Sequence, residues 1–184
     1  MNAPRDFHAD LAMSNHPAVV EGVIAAIKRC FPEALNVTQA HTENDRLGID
    51  YWLEFPGGRM ETLDAKIRKQ DYSLPVRGNG RDDRTACIEL LSNVGTKKPG
   101  WTVDTAKRTD WILFFYIESG KGFLYNARQL RAAVIRYLPE LRTTGKPGNQ
   151  STGGYQSESL FVSHRELSVC IYRNSQLVLG NICT

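Results

Sequence analysis

Two carboxylates and an amine stand close together in the stretch GIDYWLEFPGGRMETLDAKIRKQD, Gly48 to Asp71. Pro56-Gly57-Gly58 is a turn signal between two runs of alternating apolar and polar residues, so the stretch predicts a β-hairpin. Centred on Gly57, the hairpin sets Asp50 opposite Asp64, since paired positions then sum to 114. Side chains alternate along each strand, so Ile49, Tyr51, Leu53, Phe55, Leu63, Ala65 and Ile67 form an apolar face. The other, solvated face carries Asp50, Trp52, Glu54, Thr62, Asp64 and Lys66. Two carboxylates at cross-strand distance, about 5 Å between Cβ atoms, repel unless a cation lies between them. Mg²⁺, or Mn²⁺ in its place, suits such a pair, because it takes hard oxygen ligands and only one or two protein carboxylates. Lys66 projects to the same face, where it can orient an attacking water or neutralise charge on a phosphate. The chemistry implied is hydrolysis of a phosphodiester.

Asp50 followed across a short hairpin by Asp64-Ala65-Lys66 resembles the signature of the PD-(D/E)xK nuclease superfamily, with Ile49 where the Pro of that name would stand. The resemblance implies that Asp50 and Asp64 bind the metal, that the Ala65 carbonyl is a further ligand, and that Lys66 assists the nucleophile. Glu21, in a helix ahead of the hairpin, is either a solvated acid or the additional acid that this helix often brings to the site. The order of Glu89 in a strand, a Lys97-Lys98-Pro99-Gly100-Trp101 loop, and Lys107-Arg108-Thr109-Asp110 before an aromatic strand is similar to phage- and plasmid-associated members.

The elements that would position these groups are legible along the chain. Ser14 or Asn15 can cap a helix with Pro17 in its first turn and Val19, Val20, Val23, Ile24 and Ile27 on one stripe, ending near Phe31-Pro32. Residues 39–46 read as a polar loop, with Glu43 and Asp45 as ordinary loop charges. Residues 86–92 predict a strand whose Glu89 must be edge-exposed or meet a cation, since an unpaired buried charge is costly. Trp111 to Ile117 is an uninterrupted apolar run and predicts a central strand buried on both faces. Asn126 can cap a helix over 127–138, with Leu130, Val134 and Leu138 inward and Arg128, Arg131 and Arg136 outward. Residues 142–159, rich in Gly, Ser, Thr and Gln, predict a flexible loop, and 160–163 a short strand. His164 opens a short helix but has no positioned partner for acid–base work, and residues 171–184 are ambiguous.

Length and composition bound the reading. A chain of 184 residues, 41% hydrophobic and 23% charged, suits one globular nuclease-like domain over 1–184, with a loose N-terminus over 1–15. The net charge of +3 permits polyanion binding without demanding it. Arg77, Arg81 and Arg84 in one loop and Lys97, Lys98, Trp101 and Lys107 in another suit the backbone and bases of DNA, double-stranded or branched. The four cysteines form no C-x-x-C pair and the four histidines show no ligand spacing, so a zinc site is not expected. Cys30, Cys87 and Cys170 lie among apolar residues and are expected to pack as small hydrophobes. No run of sequence reaches membrane-spanning length, and no secretion signal is apparent, which points to a cytoplasmic setting.

Together these features imply an α/β fold with a restriction-endonuclease-like α-βββ-α-β core, a mixed sheet flanked by helices. They lead to the expectation of a metal-dependent endonuclease acting on DNA, with a homodimer suiting double-strand cutting. The competing expectation is a non-catalytic nucleic-acid-binding or inhibitory protein of a mobile element on the same fold.

Overall fold

The computed structural model describes residues 12–41, 47–70, 84–152 and 155–180. Most of the expected loose N-terminus, together with Glu43, Asp45, Arg77 and Arg81, lies outside the described residues. The chain is mixed α/β and divides into two compact units, one spanning 5–71 and 105–127, the other chiefly 72–104 and 128–184. Among the described residues, no helix is long and apolar enough to cross a membrane.

The first unit begins with helix α1 (Pro17–Cys30). Pro17 occupies the first turn, where its missing N–H costs nothing, although the capping position is His16 rather than Ser14 or Asn15. Val19, Val23, Ala26 and Ile27 are buried, as their helical spacing requires. Cys30, by contrast, is exposed at the helix end and is not part of the apolar stripe, whereas Cys87 and Cys170 are buried. Strand β1 (Asn36–Gln39) follows, then β2 (Tyr51–Glu54) and β3 (Met60–Arg68). β1 was not expected: an edge strand with one buried residue, Val37, carries too little apolar periodicity to be seen.

The β2–β3 hairpin closes where Phe55 N–H donates to the Arg59 carbonyl at 2.9 Å, across a turn in which Gly57 and Gly58 have φ of 81° and 80°. Only glycine adopts that backbone region without strain. Tyr51 pairs with Leu63 and Trp52 with Thr62, the register the turn position predicts. β3 then pairs in parallel with β6 (Trp111–Tyr116), and β6 pairs antiparallel with β7 (Lys121–Asn126). The result is a mixed five-stranded sheet in the order β1-β2-β3-β6-β7. Val23, Ile27 and Phe31 from α1 and its end pack with Tyr51, Leu53, Phe55, Leu63, Leu113 and Phe115 on one face. Residues 112–116 are all buried, so β6 is an interior strand buried on both faces, as its composition implies, although the middle strand of the five is β3.

In the second unit, β4 (Arg84–Asn93), the two-residue β5 (Lys98–Pro99), β8 (Lys146–Thr152) and β9 (Tyr155–Ser163) form an antiparallel sheet in the order β5-β4-β9-β8. Glu89's strand therefore belongs to a different sheet from the hairpin. Residues 146–152 and 155–163 form a hairpin; residues 160–163 are strand as expected, but the flexible loop expected over 142–159 is largely strand as well. Short side chains explain the mismatch. Ser157 and Ser159 are buried in β9, and Gly148, opposite Ser159, lies so close to the Phe161 ring that a Cβ would stand 2.9 Å from its Cδ2. Close packing here needs small residues, which read as a loop in sequence.

Helix α2 (Ala127–Thr144) runs past the expected end at Leu138, with non-helical angles at Tyr137 ahead of Pro139. Arg131 is half-buried rather than solvent-facing. Helix α3 (His164–Gly180) replaces the expected short helix and takes in residues 171–180 of the ambiguous tail. Its start is a capping box: Glu166 N–H donates to Ser163 Oγ at 3.1 Å, and Ser163 N–H donates to Glu166 Oε2 at 3.0 Å. Ser-x-x-Glu before an apolar stripe was the signal for it.

Leu53 is fully buried at the centre of the first unit's core. Leu53→Ala should cost about 2–5 kcal/mol of stability, read from the urea midpoint, whereas Ser163→Ala should cost about 1 kcal/mol.

Candidate active site

The regular ladder ends at the Tyr51–Leu63 pair. Asp50 N–H donates to the Leu63 carbonyl at 2.9 Å, one position out of the register in which paired numbers sum to 114, so Asp50 sits at an irregularity just ahead of β2 with its carboxyl beside that of Asp64. Asp50 Oδ2 accepts the Ala65 N–H at 2.8 Å. A side chain thus occupies the place of the next ladder acceptor. Lys66 Nζ lies 2.8 Å from Asp64 Oδ1. The three residues read from the sequence as a constellation are brought together on one face of the sheet.

That face is drier than expected. Asp64 is only 3% exposed and Thr62 only 7%, while Asp50 and Lys66 are half-buried. The reason is the parallel neighbour. Asp64 is in register with Ile112, and Lys66 with Phe114, both buried, and Trp52 beside Thr62 is half-buried. Burial and then the Asp64 charge push the Asp50 carboxyl up to about 7, while Lys66 and the Ala65 N–H oppose the shift. Hydrogen bonding between the two carboxyls also favours the proton on Asp50.

The chain entering β6 fixes the other side of β3. Asp110 Oδ2 accepts from the Thr62 N–H at 2.9 Å and from its hydroxyl at 2.8 Å, and Asp110 N–H donates to the Thr62 carbonyl at 3.1 Å. Since Thr62 and Arg68 direct their carbonyls to the β6 side, alternation turns the Ala65 carbonyl the other way, to the side on which its N–H meets Asp50. A cation at the carboxyl pair would therefore find hard oxygen donors: Asp50, Asp64 and the Ala65 carbonyl. Among the described residues no group of three or more His, Cys, Asp or Glu side chains forms a metal cluster. Water ligands would have to complete the shell, as Mg²⁺ commonly keeps several.

The remaining expected site residues are placed less favourably. Glu21 is exposed on α1, the helix that packs on the apolar face. Glu89, in the second unit, accepts the Trp101 N–H at 3.2 Å through Oε2, so its strand position is explained by a backbone donor rather than a cation. Gly100 makes that approach possible, since a Cβ there would stand 2.8 Å from Glu89 Cγ. Lys97 and Lys98 are exposed at the turn that joins β4 to β5, and Trp101 is half-buried beside them. Arg84 begins β4. His164 is buried at the start of α3. Lys107 belongs to the first unit, so the expected basic segment over 97–108 is divided between the two units. Sequence reasoning missed Thr62 and Asp110 as the pins of β3, and Gly48 as a conformational requirement at φ 70°.

Compared with known protein families, with curated proteins and with solved structures, the chain matches none.

An acid whose folded value lies near 7 and whose ordinary value is 3.8 holds its proton more tightly in the folded state. Stability contributed by that proton is present at low pH and is lost as pH rises from about 4 through about 7, by up to about 1.4 kcal/mol per unit. Urea unfolding of metal-free protein should show this loss, and Asp50→Asn, which mimics the protonated acid, should flatten it. An equal pH dependence in both proteins would exclude Asp50 as its source.

Proposed function

We propose that the chain is a metal-dependent nuclease of the PD-(D/E)xK type that hydrolyses DNA phosphodiester bonds, acting as an endonuclease on a restriction-endonuclease-like core. The observation that carries the reading is the half-buried Asp50 beside the buried Asp64, with Lys66 at 2.8 Å from Asp64, gathered where the β2–β3 ladder ends. A carboxyl raised to about 7 by burial and then by its neighbour's charge exchanges its proton readily for a cation near neutral pH. Asp50, Asp64 and the Ala65 carbonyl would hold Mg²⁺ or Mn²⁺, and a bound ion would supply Lewis acidity at a phosphoryl oxygen. Lys66 then has two tasks. It compensates Asp64 in the metal-free protein, and it offers an N–H to an attacking water or to the charge that develops on the phosphate. Water adds at phosphorus, one P–O ester bond breaks, and the leaving alkoxide takes up a proton.

The mixed sheet with β3 parallel to β6 supports the architectural side of the proposal. The exposed Lys97 and Lys98 turn, with Trp101 beside it, supplies charge and an aromatic surface for a nucleic acid. The alternative, a non-catalytic nucleic-acid-binding or inhibitory protein, draws on the Lys66–Asp64 ion pair, since that pair already satisfies much of the acidic charge without metal.

Asp64→Ala and Asp50→Ala should each lower Mg²⁺-dependent cleavage of plasmid and branched DNA at least 10³-fold, and Lys66→Ala about 10²–10⁴-fold, the range of an acid–base group. EDTA should abolish cleavage. Cleavage that survives Asp64→Ala unchanged would reject the nuclease reading, and DNA binding without any cleavage would favour the alternative.

A further inference from the structure

Lys66 accounts for one oxygen of Asp64. The other, Oδ2, looks toward Gly48, where a Cβ would stand 3.6 Å from it. The same point lies 3.1 Å from Lys107 Cδ and 3.8 Å from its Cε. The Lys107 stem thus crosses the space that a side chain at residue 48 would fill, next to the buried carboxylate. Gly48 is buried and has φ 70°, so glycine there serves both the backbone and the passage of the lysine.

Lys107 is not placed by chance of a loose loop. Arg108 N–H donates to the Leu47 carbonyl at 3.0 Å, which ties the residue after Lys107 to the residue before Gly48. Two positions on, Asp110 is bonded to Thr62 through side chain and backbone. The Thr62 hydroxyl also approaches the Arg108 carbonyl at 3.3 Å. The segment carrying Lys107 is therefore fastened to both chains that carry the carboxyl pair.

We propose that Lys107 is a second cationic residue of this site, reaching Asp64 through the gap over Gly48 and presenting a positive charge to the phosphate. The phosphate role rests on the nuclease reading, whereas the placement beside Asp64 does not. A polyanion approaching the pair then meets two ammonium groups, one on either side of Asp64, and the lysine stem shields the carboxylate from water.

A double-mutant cycle on the metal-free full-length chain tests the placement. Lys107→Met should lower the urea midpoint in the wild-type background and leave it nearly unchanged in an Asp64→Asn background. An equal shift in both backgrounds would overturn the proposal. Duplex binding in EDTA, where no cleavage proceeds, tests the phosphate role. Lys107→Met should weaken binding about 5- to 10-fold and reduce the salt slope by about one, and Lys107→Arg should stay within about threefold of wild type. Coupling to Asp64 with duplex binding unaltered by Lys107→Met would overturn the phosphate role. A wild-type chain that neither binds nor cleaves DNA would remove the nuclease reading and that role together, while the cycle would still decide whether Lys107 belongs to the pair.

Discussion

The charged face of the first unit depends on how β2 and β3 meet at the end away from their turn. The turn fixes the pairing as far as Tyr51 and Leu63, and Asp50, just ahead of β2, is held beside Asp64 by its bonds to the Leu63 carbonyl and the Ala65 N–H. Two carboxylates so placed beside Ile112 and Phe114 could not both be charged without compensation. The fold supplies it from three directions: the raised affinity of Asp50 for a proton, the Ala65 N–H, and the Lys66 ammonium. On the proposed reading a divalent cation would be a fourth solution, one in which both acids are ionised, and a proton and a metal would then compete for the same pair.

Holding that register requires a rigid frame on both sides of β3. On one side the hairpin turn fixes it. On the other, Thr62 and Asp110 exchange side-chain and backbone bonds where the parallel strand begins, and the apolar face packs on α1 through Leu53, Leu63 and Ile27. Part-buried polar contacts of this kind favour one arrangement because slipped alternatives leave donors such as the Thr62 N–H unsatisfied. The same anchoring segment brings in Lys107, so the frame and the charge balance of the site share their residues.

How much of this could be read from the amino acids differs by element. The hairpin, its register and the Asp50, Asp64 and Lys66 grouping were legible because turn chemistry and period-2 alternation are local signals. The α1 stripe and the buried β6 run were legible for the same reason. The dryness of the charged face was not, because it depends on Ile112 and Phe114, which lie far along the chain and become neighbours only by parallel pairing. The part of the β8–β9 hairpin before Leu160 was hidden by composition, since the buried residues described there are Ser157 and Ser159, facing Gln150 and Gly148, rather than β-branched or aromatic side chains. Glu89 shows a third limit: its strand was correctly read, but the partner of its carboxylate is a backbone N–H that no residue type announces.

On the proposed reading, Asp50 and Asp64 form a single site in which a metal ion would displace a proton. Calorimetric titration of the wild-type chain with Mn²⁺, in two buffers of different ionisation enthalpy, measures that exchange directly. The account predicts release of most of one proton per ion at pH 6, almost none at pH 8.5, and loss of binding in Asp64→Asn. Mn²⁺ binding that releases no proton at pH 6, or that persists unchanged in Asp64→Asn, would contradict it.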